Sequence, residues 1–200
     1  AELDTVLTQG ADLVMLPMFQ TPEELRAFSR LVAGRVPVVA LLETADALHS
    51  LDAWVDTPGL SEVFVGLNDL HLSLGCAFMF EPLASGLVDR VSARVHSQGL
   101  RFGFGGIARL DEGLVPGRDV LAEHVRLGSA AVILSRTFHH PSEQNAAAHG
   151  FDDEVAALRQ AERDLSKRTS QQVESDRSRI RGLIESVAAS MVRRSAEGMA

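Results

Sequence analysis

The sequence predicts an α/β protein made of βα repeats, and three observations carry that prediction. Short apolar, β-branched runs alternate with helix-like stretches, at about 25–30 residues per unit, the rhythm of strand–helix repeats. The runs are apolar nearly throughout instead of alternating with polar residues, as strands covered on both faces of a parallel sheet are. Several end in polar or glycine-containing turns, and in parallel α/β folds the C-terminal strand ends form the active face. The pattern alone fits either an open doubly wound sheet or part of a (β/α)8 barrel.

In chain order, residues 2–9 read as a helix entering the first strand, and five strands are expected at residues 13–16, 36–42, 63–65, 101–104 and 130–134. Thr21-Pro22-Glu23-Glu24 is a cap followed by proline and first-turn acids, opening a helix that runs to about Val32. Further helices are expected at residues 46–54, 81–97 and 116–127. Beyond the 1–140 body, residues 141–150 read as a linker and 151–200 as a C-terminal helical extension with helices over 152–165 and 170–191. Val173, Ile180, Ile184, Val187 and Met191 form a narrow apolar stripe on the second, suited to docking on the body or on a partner subunit. Five strands fall short of the eight a closed barrel needs, and residue 1 is Ala. The expectation is a barrel incomplete at its N-terminal side, either a fragment of a longer protein or a shortened one.

Composition bounds the function. A chain of 200 residues, 46% hydrophobic, buries a sizeable core. No apolar run approaches the roughly 18 residues a membrane span needs, and the N-terminus lacks a signal-peptide layout, so a cytoplasmic protein without membrane contact is expected. Residues 1–150 hold 18 acids and 10 bases, and residues 151–200 hold nine of each, so the net charge of -8 sits on the first part. An acidic body repels phosphate backbones, which argues against nucleic acid. Lys167, in the tail, is the sole lysine, which leaves no strand-borne amine for Schiff-base chemistry. Cys76 is alone and reads as a small buried thiol.

Two acids stand where chemistry is expected. Glu43 follows the near-continuous apolar run 36–42, and Asp69 follows Val63-Phe64-Val65 after a Gly-Leu-Asn turn. Both carboxylates would project from neighbouring strand ends toward one mouth. Two carboxylates leave most positions of an octahedral divalent ion to water and substrate oxygens, the usual way of holding Mg²⁺. The competing reading is that both simply cap the helices that follow them.

The segment Leu41-Leu42-Glu43-Thr44-Ala45-Asp46 resembles the strand end of the HpcH/HpaI aldolase and citrate lyase family in which a glutamate after an aliphatic strand binds the metal. Val65-Gly66-Leu67-Asn68-Asp69-Leu70 is similar to that family's Gly-x-x-Asp-Leu segment, whose aspartate is the second ligand, and the 26-residue separation also matches. Val14-Met15-Leu16-Pro17-Met18 resembles the preceding strand, and Gly105-Gly106-Ile107-Ala108 and residues 128–134 resemble the last two. The resemblance covers about residues 1–140. It implies a TIM-barrel-type (β/α)8 fold, here lacking the first three βα units, and a divalent ion, Mg²⁺ foremost with Mn²⁺ or Co²⁺ as options, on Glu43 and Asp69. It further implies a 2-oxo acid substrate whose carboxylate meets the turn Gly66, Leu67 and Asn68. The reaction implied is aldol-type cleavage or formation of a carbon–carbon bond through a metal-stabilised pyruvate enolate. Rival readings are an acyl-CoA lyase of the citrate or malyl-CoA type and a catalytically silent metal-binding barrel.

The family's substrate-contacting arginine and histidine base precede the matched region, so no residue here takes those roles and the general base is unassigned. Arg109 and Arg136 lie at later strand ends, where anion binding and ordinary salt bridges are equally open. His71 is expected on a helix surface, His124 packed between helix and sheet, His139-His140 in a solvated loop, and Met15, Met18 and Met79 as core filler. A homo-oligomer is expected, because an incomplete barrel leaves apolar strand edges to be covered.

Overall fold

The computed structural model describes residues 2–138 and 150–197. Helix α1 (Glu2–Thr8) leads into β1 (Val14–Leu16), then α2 (Pro22–Val32), β2 (Val38–Leu42), α3 (Ala45–His49), α4 (Leu51–Trp54) and β3 (Leu60–Val65). There follow α5 (Leu67–Ser73), α6 (Glu81–Ala84), α7 (Leu87–His96), β4 (Arg101–Ile107), α8 (Gly117–Arg126), β5 (Ala131–Leu134) and a 3-10 turn at Arg136–Phe138. The chain ends in α9 (Phe151–Leu165) and α10 (Ser170–Glu197). The five strands form one parallel sheet in the order β1-β2-β3-β4-β5, the curled part of a (β/α)8 barrel that the sequence predicts.

Local chemistry sets the element ends. Thr21 accepts from the Glu24 amide, while the Glu24 carboxylate accepts from the Thr21 amide, a capping box with Pro22 at the first helical position. The amphipathic face of α2 buries Leu25 and Val32 completely, each such side chain contributing about 1.5–3 kcal/mol. The expected helix over 81–97 is two helices, because Gly86 adopts φ +74°, a left-handed turn that glycine makes without strain. The expected helix over 46–54 likewise breaks at Ser50. Strand β3 begins earlier than expected, since Glu62 pairs with Arg101 of β4 at 3.6 Å and is buried as a strand residue. Gly105, Gly106 and Ile107, expected to form a turn, belong to β4, which crosses to β5 through a register irregularity between Gly103 and Gly106.

The core lies between sheet and helices. Trp54 is fully buried, donates its indole N–H to the Ala47 carbonyl at 2.7 Å and meets Phe19 edge-on at 5.1 Å. His124 of α8 stacks face to face on Phe104 of β4 at 3.8 Å, packed between helix and sheet as expected. The apolar stripe of α10 docks on the body, against α6 and α8, through buried Ile180, Ile184 and Ala188. Charges flank it: Arg179 forms a bidentate pair with Asp119 at 2.7 and 2.8 Å, and Arg177 reaches Asp89 at 3.1 Å. Among the described residues no helix is long and apolar enough to cross a membrane. His139-His140 and nearly all of the expected linker lie outside the described residues.

Candidate metal and substrate site

Strands β2 and β3 are neighbours in register, Leu42 opposite Val65, so the residues leaving their C-terminal ends emerge side by side. Glu43 is the first residue past β2 and is buried to 8% exposure. Asp69 sits in the first turn of α5, where the helix dipole favours negative charge, and its half-buried carboxyl faces Glu43. Burial pushes the Glu43 carboxyl above its ordinary range; the Asp69 charge adds to that, and a hydrogen bond from the Met18 amide opposes it.

Helix capping does not explain Glu43. The cap of α3 is Thr44, whose hydroxyl accepts from the Ala47 amide at 3.1 Å and donates to the Phe19 carbonyl at 2.8 Å. Helix α5 has Gly66 at its cap position and no side-chain cap bond, so Asp69 serves it only through the dipole.

Three contacts fix the Glu43 side chain. Its Oε2 accepts from the Met18 amide at 3.2 Å. Its Cγ and Oε1 lie against Gly66, where a Cβ would stand 2.5 and 2.7 Å away. The Gly66 amide donates to the Leu42 carbonyl at 2.9 Å, so the two strand ends are tied together directly beneath the carboxyl. That bond engages the Gly66 amide with the sheet, and the missing Cβ of Gly66 makes room for the Glu43 side chain. Leu67 has a fully buried side chain, leaving its backbone as the part that faces the turn, and Asn68 is exposed. Both lie in the first turn of α5, where helix geometry supplies no acceptor for the amides.

Among the described residues neither Glu43 nor Asp69 forms a salt bridge, and no three or more His, Cys, Asp or Glu side chains gather as metal ligands. Two facing carboxylates, one of them held in a cradle without room for a Cβ, fit a hard divalent ion that takes most of its oxygens from water and substrate.

The other candidates fall elsewhere. Arg109 is buried, 3.4 Å from Glu154 of α9 and donating to the Phe138 carbonyl at 3.1 Å, so it fastens the tail to the body; Arg136 is exposed. The His71 Nδ1 hydrogen-bonds the Leu67 carbonyl at 3.2 Å within its own helix. The His124 Nδ1 meets Ser129 at 2.9 Å, and burial pushes its pKa down to about 3. Lys167 pairs with Asp164 on the tail surface. Cys76 is half-buried, not fully as expected, and burial raises its thiol pKa. Met79 packs partly into the core, but Met15 and Met18 are exposed, against the expectation of core filler. The contact of the Met18 amide with Glu43 was hidden from sequence, because a φ of +54° has no signature in a residue other than glycine.

Residues 1–79 match the HpcH/HpaI aldolase/citrate lyase family model. Comparison with curated protein sequences gives no match. Among solved structures the chain is similar to RipC from Yersinia pestis, with 18% identity, a TM-score of 0.58 and coverage of 86% of this chain and 72% of that one. It is also similar to a citrate lyase beta subunit from M. tuberculosis complexed with oxaloacetate and magnesium, at 16% identity, TM-score 0.56, covering 81% of this chain and 66% of that one. Protein CitE from Mycobacterium tuberculosis, in complex with magnesium and pyruvate, gives 16% identity, TM-score 0.58 and coverage of 90% and 68%. The chain therefore spans 66–72% of the length of these three relatives. These likenesses show the fold, and the family match over residues 1–79 bears out the resemblance read from the strand-end motifs.

Proposed function

We propose that this chain, related through residues 1–79 to the HpcH/HpaI aldolase/citrate lyase family, is a carbon–carbon lyase acting on a 2-oxo acid with a divalent metal, Mg²⁺ foremost. One observation carries the reading: Glu43 and Asp69 face each other at adjacent parallel strand ends with no salt bridge to either among the described residues. The names of the family and of its solved relatives support a lyase, and magnesium in two of those relatives supports the choice of ion.

Glu43 and Asp69 would hold the cation, with Gly66 and the Met18 amide keeping the Glu43 carboxylate in place. When bound, such a cation supplies Lewis-acid chemistry, drawing electron density from the carboxylate and ketone oxygens of the substrate and offsetting the negative charge that develops as the bond to C3 breaks. The first-turn amides at Leu67 and Asn68 would orient the substrate carboxylate, aided by the N-terminal end of the α5 dipole. Homo-oligomerisation belongs to the same reading, since Met15 and Ile133, on the two outermost strands, are exposed.

The test is incubation with 4-hydroxy-2-oxo acids and, separately, malyl-CoA, with and without Mg²⁺, following release of pyruvate from the first and of glyoxylate from the second. Mg²⁺-dependent pyruvate release that Glu43→Gln abolishes is the expected result. Glyoxylate release from malyl-CoA alone, with the thioester retained in acetyl-CoA, would move the protein to the acyl-CoA lyases. Mg²⁺-dependent pyruvate binding with no turnover of either substrate would make it a binding protein.

A further inference from the structure

Two residues other than glycine have a positive φ among those described, Met18 and Ala33, both at +54°. Ala33 sits at the C-cap of α2 and sends its amide to the Ser29 carbonyl, the ordinary left-handed end of a helix. No helix end accounts for Met18. It lies in the loop after β1, between Pro17, whose ring fixes φ, and Phe19, which is anchored twice: its ring is buried against Trp54, and its carbonyl accepts from Thr44. The Met18 side chain is 53% exposed, so the core does not demand it. What the unusual backbone does deliver is the Met18 amide, 3.2 Å from Oε2 of Glu43. Backbone held in a sparsely populated region persists only where its surroundings over-determine it, and such residues cluster at functional sites.

We infer that Met18 is a positioning residue for metal binding: its left-handed conformation aims the backbone amide at Oε2 of Glu43 and, with Oε1 lying over Gly66, fixes the plane of the carboxylate that faces Asp69. The inference rests on the reading of Glu43 and Asp69 as metal ligands. It assigns the role to the backbone of Met18 and none to its thioether. A residue that adopts positive φ easily should therefore preserve metal affinity even without a side chain. A β-branched residue, for which that region is a strong outlier, should turn the amide away and let the carboxylate rotate.

Titration of the full chain with Mn²⁺ alone, read by the loss of the free-ion electron paramagnetic resonance signal, separates these cases. Wild type and Met18→Gly should agree within about threefold, and Met18→Val should bind at least about tenfold more weakly, the scale on which losing an outer partner of a metal ligand is felt. Circular dichroism melts establish that each variant is folded. Should Met18→Val not fold, the glycine variant decides: full affinity supports a backbone role, and affinity lost more than threefold overturns it. Equal affinities for wild type and a folded Met18→Val overturn the inference while leaving the metal reading intact. No Mn²⁺ binding by wild type overturns both.

Discussion

Glu43 is a buried acid placed against a second acid, and that arrangement weakens the fold at neutral pH. Its carboxyl is pushed above the ordinary range by burial first and by Asp69 in addition, against the pull of the Met18 amide. A carboxyl whose folded pKa is raised binds protons more readily in the native state. Stability is therefore lost as pH rises through the ordinary glutamate range toward the raised value. Glu43→Gln, which keeps an oxygen for the Met18 amide, should melt at or above the wild-type temperature at pH 7, and the advantage should vanish below about pH 4.5, near the unfolded glutamate pKa. A clearly lower melting temperature at pH 7 would show that the charge serves the fold. His124 titrates in the opposite sense. Burial on Phe104 pushes its pKa down to about 3 from the ordinary histidine value of 6.5, so the residue contributes stability that is fully present above pH 6.5 and is lost as pH falls toward 3. The slope from one such group is at most about 1.4 kcal/mol per pH unit. Urea unfolding at pH 7 and pH 5 should show a smaller loss for His124→Phe than for wild type, since phenylalanine can stack and takes up no proton. The two acids stood out in sequence because Glu43 follows an apolar run directly and Asp69 follows one after a short Gly-Leu-Asn segment; the conformation of Met18 and the cradle at Gly66 depend on φ and on close approach, which composition does not encode.

At the scale of elements, strands were easier to find than their ends. Apolar runs disclosed all five strands, but Glu62 hid the start of β3 because a buried charge paired with Arg101 looks like a surface residue in sequence. Helices α3 and α4, and α6 and α7, read as continuous because one apolar face carries across each break; a local turn at Ser50 and a left-handed Gly86 interrupt them. A helix was expected to follow Asp69, but α5 starts at Leu67, inside the segment read as a turn, because seven residues are too few to show a helical period. The tail stripe was legible, and the structure selects its own body as the surface it covers. Ile184, fully buried on α10, anchors that contact, and Ile184→Ala should cost about 2–4 kcal/mol, the usual range for a truncated core isoleucine. Deleting residues 151–200 should in addition uncover the apolar surface of α6 and α8 that Ile180, Ile184 and Ala188 now cover, and promote self-association. Chemical denaturation measures the first, and light scattering of the truncated protein the second. An Ile184→Ala chain as stable as wild type would mean that α10 docks through its ion pairs alone.

For the molecule as a whole, the strand order follows the chain order, each strand pairing with its neighbours in sequence, and among the described residues one edge each of β1 and β5 is unpaired. Metal binding needs only the two strand ends and should survive in the chain as it stands. The most direct test is calorimetric titration with Mg²⁺ and Mn²⁺ of wild type, Glu43→Gln, Asp69→Asn and Gly66→Ala, the last at a backbone φ of −81° that alanine tolerates, so that its effect falls on the Glu43 side chain. Wild type should bind one ion, and each variant should bind at least about tenfold more weakly with its fold retained; four indistinguishable titrations would contradict a metal site at Glu43 and Asp69.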